Sequence, residues 1–266
     1  MKTIIPILIL LLMVFCSCQN LQDKTSKNGW KLDWSDEFND KDIDWSVWSK
    51  VPRATPDWKK YTSEWDSLYA VEDGKLVLWA VKNTTQTDDT ASFLTAAIWG
   101  MNKKFFDFGR IEICAKLDCA QGFWPAIWLL PEVPNRQWPQ GGEIDIMEHL
   151  NFDTIVYQTV HSNYTLDYSI KDKPKSSTIC SCTPDEYNVY AVERYNDSIV
   201  FFVNDERTLC YSRIDSLEKE QFPFANSPFY VILSAQLGGG WVGEINPKQL
   251  PVAMRIDWVR FYEKQK

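Results

Sequence analysis

The chain lacks a basic segment. Its 28 Lys and Arg residues are outnumbered by 36 Asp and Glu residues, the formal net charge is −8, and no block of Lys or Arg stands out. Nucleic acid and anionic membrane surfaces, which attract proteins through clustered positive charge, are therefore poor candidate partners. Highly sulfated polymers are disfavoured as substrates for the same reason, unless a local basic patch overrides the net sign.

A zinc-binding pattern is also missing. The sequence has 2 histidines, and the pairs Cys114-x4-Cys119 and Cys180-x-Cys182 lack the histidines and the spacing of a zinc site. With Cys210 the cysteines beyond the N-terminal segment are odd in number, so not all of them can pair within the chain. We expect these cysteines to be small, buried, apolar side chains, of which two could form one disulfide.

Long apolar runs are absent except at the N-terminus. Lys2 followed by the apolar run from Ile4 to Phe15 has the layout of an export signal, and the run is shorter than the roughly 20 residues of a spanning helix. The Phe-Cys-Ser-Cys ending resembles a bacterial lipoprotein signal, cleaved before Cys18 and lipidated on the Cys18 thiol, although Phe15 departs from the usual Leu. We predict a signal peptide over residues 1–17, a polar tether over 18–29 and an exported cell-envelope lipoprotein that meets the membrane only through its lipid. Plain secretion is the alternative.

No internal repeat or low-complexity linker divides residues 30–266, which we interpret as one domain, expected to be monomeric. The apolar residues follow a period of two rather than 3.6, which predicts many short strands and no convincing helix. Together these features predict an all-β fold of antiparallel strands, a sandwich or a barrel. The predicted strands are Lys75–Lys82, Gly109–Leu117, Gly122–Leu130, Glu143–Leu150, Ile155–His161, Tyr187–Tyr195, Ser198–Asn204, Arg207–Tyr211, Phe229–Gln236 and Val252–Tyr262.

Tryptophan is abundant. The chain has 13 Trp, more than a core of this size requires, and a buried indole needs a partner for its N–H. Each one taken alone is best explained by packing. A set of indoles beside polar chemistry is instead typical of a carbohydrate site, because sugar rings present an apolar C–H face that stacks on an indole. Four lie in Gly- or Pro-flanked segments: Trp124, Trp128, Trp138 and Trp241.

The segment from Gly141 to His149 carries the chemistry. On a strand, Glu143 and Asp145 share one face while Ile144 and Ile146 face the core. Glu148 falls on the wrong face of a regular strand, but one extra residue in a β-bulge at or beside Met147 restores its parity. The sequence therefore predicts three carboxylates on one face of one strand.

Three like charges in a row destabilise a sheet, so they require a function. A calcium site is the structural alternative, but calcium usually takes its oxygen ligands from loops that wrap the ion. Retaining glycoside hydrolysis needs one ionised carboxylate and one protonated carboxyl about 5–5.5 Å apart. Glu143 and Glu148 start about 13 Å apart at Cα, a gap that long side chains and a bulge could close. Asp145 between them would orient Glu143 or hold the proton on Glu148.

A resemblance to a known family rests on five segments: Trp34–Phe38, Gly109–Glu112, Gly122–Trp128, Trp138–Glu148 and Gly238–Gly243. With these segments the chain resembles glycoside hydrolase family 16, in its branch with a bulged catalytic strand, from about Trp34 to Tyr262. The resemblance implies a concanavalin-like β-jelly roll of two antiparallel sheets with an open concave cleft. It implies a retaining, endo-acting enzyme with Glu143 as nucleophile, Asp145 as helper and Glu148 as acid/base, and no catalytic cofactor.

Further site residues are expected around these acids. Trp138 resembles the family's sugar platform, and we expect the other substrate-binding residues to be Trp124, Trp241, His161, Gln236 and Arg110. His161 could equally be structural, Arg110 could be a sheet-surface ion pair, and His149 is expected to face away from the cleft. Family members often hold a structural calcium, for which Glu37 and Asp257 occupy suitable positions.

The substrate is less constrained. His149–Asp153 and Tyr157–Ser162 look more like endo-β-galactosidases acting on poly-N-acetyllactosamine of mucin-type O-glycans than like ordinary laminarinases. An endo-β-1,4-galactosidase is therefore the leading hypothesis, with an endo-β-1,3-glucanase (laminarinase) as the alternative and agar-type galactans after it. A non-catalytic, lectin-like protein is the alternative of another class, because the same sandwich also serves as a binding module. A lectin would be expected to have lost at least one of the three acids.

Overall fold

A computed structural model describes residues 26, 27, 29–133 and 137–265. Its strands form two antiparallel sheets, as the period-two pattern predicts. The predicted Cys18 lipidation site, and the signal and tether apart from residues 26, 27 and 29, lie outside this part of the chain. Within it, no helix is long and apolar enough to span a membrane.

One sheet, the cleft sheet, has seven strands in the order β12-β11-β10-β9-β16-β7-β3. They are β3 (Ser49–Lys50), β7 (Ala97–Trp99), β9 (Phe123–Pro131), β10 (Glu143–Glu148), β11 (Ile155–His161), β12 (Ser177–Ser181) and β16 (Phe229–Leu237).

The other, outer sheet has ten strands along the path β1-β2-β17-β8-β13-β14-β15, with β5 beside β17 and β4 and β6 beside β5. They are β1 (Ser26–Lys27), β2 (Trp30–Asp36), β4 (Tyr69–Glu72), β5 (Lys75–Lys82), β6 (Phe93–Thr95), β8 (Gly109–Leu117), β13 (Asn188–Arg194), β14 (Ser198–Val203), β15 (Glu206–Ser212) and β17 (Val252–Lys264).

The apolar core lies between the sheets. Alternate residues of β9, such as Ile127 and Leu129, point into it, and Ile144 of β10 joins them. The opposite residues of β9, including Ala126 and Trp128, pack in a second apolar cluster on the outward face of the cleft sheet. Both faces of β9 and β16 are therefore covered, which explains why these strands are apolar throughout.

All ten predicted strands are confirmed, with ends that differ by at most two residues. The shorter strands β1, β3, β4, β6, β7 and β12, and also β2, were not predicted, because runs of two to five residues show little periodicity and β2 carries charged residues. Among the described residues, helix is limited to two four-residue α-helices, α1 (Asn163–Leu166) and α2 (Glu218–Gln221), and to short 3₁₀ turns.

Candidate active site

The bulge in β10 is confirmed by its pairing with β11. Asp145 lies opposite Thr159 and Glu148 opposite Tyr157, so three steps on β10 match two steps on β11. Ile146 and Met147 are both fully buried in the core at this point. Because the extra residue is absorbed there, Glu148 returns to the face shared by Glu143 and Asp145.

Glycine is required immediately before β10. Gly142 has φ of +85°, and a Cβ at this position would lie 2.5 Å from Cε1 of Phe224. A side chain would therefore be both strained and overlapped, so the Gly-Gly pair of the motif allows the chain to enter β10 closely packed against a buried ring.

Each glutamate is held by its own indole. Trp138 Nε1 donates to Glu143 Oε2 at 2.9 Å, and Trp124 Nε1 donates to Glu148 Oε1 at 3.0 Å. The two tryptophans come from opposite sides of β10, one from the preceding loop and one from β9. They orient both carboxylates without neutralising either, since an indole N–H carries no charge.

His161 lies beside the carboxylates of Asp145 and Glu143. Its Nε2 is 3.1 Å from Asp145 Oδ2 and 3.8 Å from Glu143 Oε1, although Asp145 Oδ2 has no partner with hydrogen-bond geometry. The ligand atoms of Glu143, Asp145 and His161 all lie within 4.8 Å of one another, a spacing that could also hold a cation.

Burial raises the pKa of all three acids. For Glu143 and Glu148 desolvation is the largest cause and the neighbouring Asp145 the second. For Asp145 the cause is desolvation alone. Trp138 and His161 act in the opposite direction on Glu143, and Trp124 and His161 on Glu148. The three groups therefore titrate as a set that retains a proton near neutral pH, as acid and base chemistry at one site requires.

The acids lie at the base of a cleft of about 460 Å³ on the cleft sheet. Its walls are mostly apolar, so an entering ring would contact indoles on several sides. The lining residues are Pro56, Trp58, Trp124, Ala126, Trp128, Leu130, Trp138, Glu143, Asp145, Glu148 and Gln236.

The predicted Trp241 also lies beside the cleft. Its ring packs edge-on against Trp124, with centroids 5.5 Å apart, and against Tyr157 at 5.1 Å. The side chains of Trp138 and Trp241 are 59% and 49% exposed, which is unusual for tryptophan and leaves both rings open to a ligand.

Trp58 was missed by the sequence analysis. It lies on a short 3₁₀ turn, packs edge-on against Trp128 at 4.6 Å, and forms a wall of the cleft. Asp57 fixes this turn, because its Oδ2 accepts a hydrogen bond from Gly240 N at 2.9 Å. In the sequence, only the neighbouring Pro56 indicates a turn here, and it does not show which distant loop the turn contacts.

Gln236 lies in the cleft wall, and His149 lies outside it. The side chain of Gln236 donates through Nε2 to Ser234 Oγ at 2.8 Å, and its Oε1 has no partner among the described residues. A role in binding substrate hydroxyls stays a prediction. His149 is fully buried, with Nε2 2.7 Å from the carbonyl oxygen of Asp153, a structural contact.

The prediction that Arg110 binds substrate is wrong. Arg110 lies on β8 in the outer sheet, buried, with its guanidinium 2.6 Å from Glu112, 2.9 Å from Glu193 and 3.0 Å from Asp205. Three carboxylates occupy its donors, so it is the sheet ion pair that the sequence also allowed.

The predicted calcium ligands are not supported either. Both oxygens of Glu37 accept from Arg260, at 2.7 and 2.8 Å, and Asp257 lies 3.2 Å from Lys75 Nζ. Each carboxylate is therefore engaged by a cation of its own. The five cysteines Cys114, Cys119, Cys180, Cys182 and Cys210 are free thiols.

Known proteins resemble this chain in sequence and in fold. Residues 57–260 match the family model described as glycosyl hydrolases family 16. The chain is 33% identical over 237 residues to a keratan-sulfate endo-1,4-beta-galactosidase of Sphingobacterium multivorum, a match that covers 88% of the chain and 55% of that relative. The chain thus spans about half the length of this relative.

Two solved structures are also similar. The laminarinase catalytic domain of Thermotoga maritima aligns with a TM-score of 0.77 and 30% identity, covering 89% of this chain and 99% of that one. The second structure comes from work on endo-acting O-glycanases that prominent members of the human gut microbiota express to initiate mucin breakdown. It aligns with a TM-score of 0.74 and 31% identity, covering 87% of this chain and 98% of that one. With the family model spanning residues 57–260, these likenesses show that the chain belongs to family 16 of the glycosyl hydrolases.

Proposed function

We propose that the chain is a retaining, endo-acting β-glycosidase with Glu143 as nucleophile, Glu148 as acid/base and Asp145 as helper. The observation that carries this proposal is the bulge, which brings two indole-bound glutamates onto one face with Asp145 between them. Such an arrangement serves double displacement, in which one carboxylate attacks while the other manages the proton.

In the first half of the reaction, ionised Glu143 attacks the anomeric carbon and forms a glycosyl–enzyme ester. Glu148 transfers its proton to the leaving oxygen as that C–O bond breaks. Trp124 binds Oε1 of Glu148, which leaves Oε2 to carry the proton. Asp145 and His161 lie beside Glu143 and orient it.

In the second half, Glu148 is the base. It removes a proton from water, the water oxygen attacks the anomeric carbon, and Glu143 departs as a carboxylate. Two inversions give net retention, and Glu148 is protonated again for the next cycle.

Azide rescue tests the division of roles. Glu148→Ala with azide should give a β-azide, and Glu143→Ala, where rescued, an α-azide. NMR of early products from the wild type should show the β-anomer first. An α-anomer first, or the reverse pairing of azides, would contradict these roles. Absence of hydrolysis by the wild type on a broad glycan panel would favour the lectin-like alternative, with Glu143→Gln as the inactive control.

We further propose poly-N-acetyllactosamine as the substrate, cut at internal β-1,4-galactosidic bonds. Support comes from the endo-β-galactosidase relative and the O-glycanase structure. The Tyr157 segment supports it too, since Tyr157 OH donates to Asp153 Oδ2 at 3.1 Å and the ring packs on Trp241, linking both distinctive segments to one cleft wall. Chromatography should show short oligosaccharides with galactose at the reducing end and no early monosaccharide.

An endo-β-1,3-glucanase is the second candidate, favoured by the likeness to the laminarinase structure. Laminarin should be assayed beside the lactosamine polymer at equal concentration. Rapid laminarin depolymerisation with no action on lactosamine chains would replace the leading substrate with this one.

We also propose that the protein is an exported lipoprotein, from the N-terminal sequence alone. Palmitate labelling should mark the wild type, whereas Cys18→Ala should release unlabelled protein. Lipid on the thiol and on the new N-terminus would give more than one acyl chain, enough for stable anchoring. Labelling that persists in Cys18→Ala would exclude this site.

A further inference from the structure

A second pocket, of about 500 Å³, lies on the other side of the catalytic strand, over β11 and β12. We call it the lysine pocket, because two lysine side chains form part of its wall. The residues that matter for its chemistry are Tyr157, Thr159, His161, Lys171, Lys175 and Trp241.

The two sides of the site differ in charge. The catalytic cleft is lined by three carboxylates and by no Lys or Arg, whereas the lysine pocket is lined by two Lys and by no Asp or Glu. Across the part of the chain that the structure describes, neither Lys171 nor Lys175 has a carboxylate within salt-bridge distance. Both lysines are exposed, so their ammonium groups are accessible to a ligand that enters the pocket.

The lysines stand on a hydrogen-bonded loop between α1 and β12. Ser176 N donates to Lys171 O at 2.8 Å, and Val160 N of β11 donates to Ser176 O at 2.8 Å. Tyr164 OH donates to the carbonyl oxygen of Lys173 at 2.9 Å. These bonds tie the loop to the cleft sheet, so the two side chains start from fixed positions.

The lysine pocket adjoins the catalytic cleft. Trp241 lines the pocket and packs against Trp124, which lines the cleft, and His161 lines the pocket while contacting Asp145. Neighbouring strands lie about 4.8 Å apart, so β12 is about 10 Å from the catalytic strand. A polymer that crosses the strands in this direction would leave the apolar cleft and enter the lysine pocket.

We propose that the lysine pocket binds an anionic substituent, a sulfate ester or a carboxylate, on the substrate units that lie across β11 and β12. Lysine ammonium groups suit such an anion as point charges, and the Thr159 hydroxyl offers a further donor. This inference rests on the proposed endo-glycosidase function. The net negative charge disfavours sulfated substrates, but at this position the two lysines form a local basic patch that outweighs it.

The test compares kcat/KM on a neutral poly-N-acetyllactosamine, its 6-O-sulfated form and a sialylated form. The variant Lys171→Gln/Lys175→Gln should lose about tenfold on the preferred anionic chain and less than twofold on the neutral chain. The charge-matched control, Lys31→Gln/Lys82→Gln, changes two exposed lysines of the outer sheet and should change none of the three rates. Which anionic chain responds distinguishes sulfate from carboxylate.

An equal loss on the neutral chain, an equal loss in the control variant, or no loss on either anionic chain would each overturn the inference while leaving the proposed function intact. If the wild type cuts none of the three chains, the proposed substrate fails. Calorimetry of the sulfated and sialylated chains with Glu143→Gln then decides, because lysine-dependent binding of either supports the pocket and its absence rejects it.

Discussion

At the scale of single residues, substituting the two tryptophans that bind the glutamates tests the proposed roles of Glu143 as nucleophile and Glu148 as acid/base. Trp124 lowers the pKa of Glu148 through its hydrogen bond, and Trp138 does the same for Glu143. Replacing either with Phe keeps an aromatic ring but removes the donor, so the pKa of the bound carboxyl rises. A hydrogen bond to a charged group contributes roughly 1.5–3 kcal/mol, equivalent to about one pH unit or more.

Trp138→Phe should therefore shift the acid limb of the kcat/KM profile to higher pH by about one unit, because the nucleophile must be ionised. Trp124→Phe should shift the alkaline limb upward by a similar amount, because the acid keeps its proton longer. Profiles from pH 4 to 10 measure both shifts. Shifts on the opposite limbs would exchange the two roles.

The buried acids should also limit stability. Burial, and then the charge of Asp145, raises the pKa of Glu148 from 4.5 to about 8. The folded state then binds more protons than the unfolded state between these pH values, so stability falls as pH rises through this window. Glu148→Gln removes the part of this dependence that Glu148 contributes and should stabilise the protein by ~2 kcal/mol near pH 8, which is about 4–8 °C in Tm for a domain of this size, with little gain at pH 4.

Thermal unfolding at several pH values checks this sign. Glu206→Gln, at an exposed position on β15, is the matched control and should show no such trend. A gain for Glu148→Gln that is equal at pH 4 and pH 8 would mean that the effect arises from packing and not from titration.

The placement of the three acids on one face was predictable from the sequence, because side chains alternate along a strand and Glu148 could reach the face of Glu143 only through a bulge. Trp58 and the indole bonds were not predictable, since they depend on contacts between segments distant in sequence. Arg110 shows the opposite error, because a polar residue in a family motif was interpreted as part of the site although its strand lies in the other sheet.

At the scale of elements, the bulge can be tested by changing its length. Deleting Met147 gives Glu-Ile-Asp-Ile-Glu, in which the three acids alternate strictly without a bulge. The variant should fold and keep reduced hydrolysis, with a stability loss of ~2–5 kcal/mol because a buried methionine is lost from the core. Inserting Ala after Met147 should be worse, since Glu148 would turn into the core as an unpaired carboxylate.

Chemical denaturation and initial rates distinguish these outcomes. An insertion variant that keeps activity, together with a deletion variant that unfolds, would show that the acids do not depend on the bulge to share a face.

The Arg110 cluster belongs to the outer sheet, so its loss should affect stability and not catalysis. Arg110→Leu leaves Glu112 and Glu193 without their buried partner, which should destabilise the fold by about 3–5 kcal/mol. Below the transition temperature, kcat/KM should stay within about twofold of the wild type. A selective rise in KM with unchanged Tm would restore the original assignment of Arg110 to substrate binding.

The longer strands were predictable because apolar and polar residues alternate over enough positions to distinguish a strand from a helix or a loop. β5, β8 and β11 begin and end at the predicted residues, whereas β12 and β2 were not predicted. β12 lies at one edge of the cleft sheet and alternates between exposed and half-buried residues, so its burial pattern carries little signal. That edge is where the lysine pocket lies, and the pocket could not be foreseen because its loop takes its position from β11.

At the scale of the whole molecule, the cleft is assembled from loops far apart in sequence. Trp58 comes from an early turn and the glycine-rich turn from after β16, and Asp57 joins them through its bond to Gly240 N. A Cβ at Gly239 would lie 2.9 Å from Asp57 Oδ2, so the two turns are in close contact. The cleft walls therefore depend on one carboxylate that touches neither the acids nor their indoles.

Asp57→Ala should loosen both walls and raise KM by about tenfold, equivalent to about 1.4 kcal/mol, while kcat changes by less than twofold because the acids and their indoles are untouched. Asp57→Asn keeps an acceptor oxygen and should restore most of the wild-type KM. Steady-state kinetics on one polymer measure all three proteins. A fall in kcat with unchanged KM, or an Asn variant as weak as the Ala variant, would show that Asp57 acts through its charge on the catalytic set and not by positioning the walls.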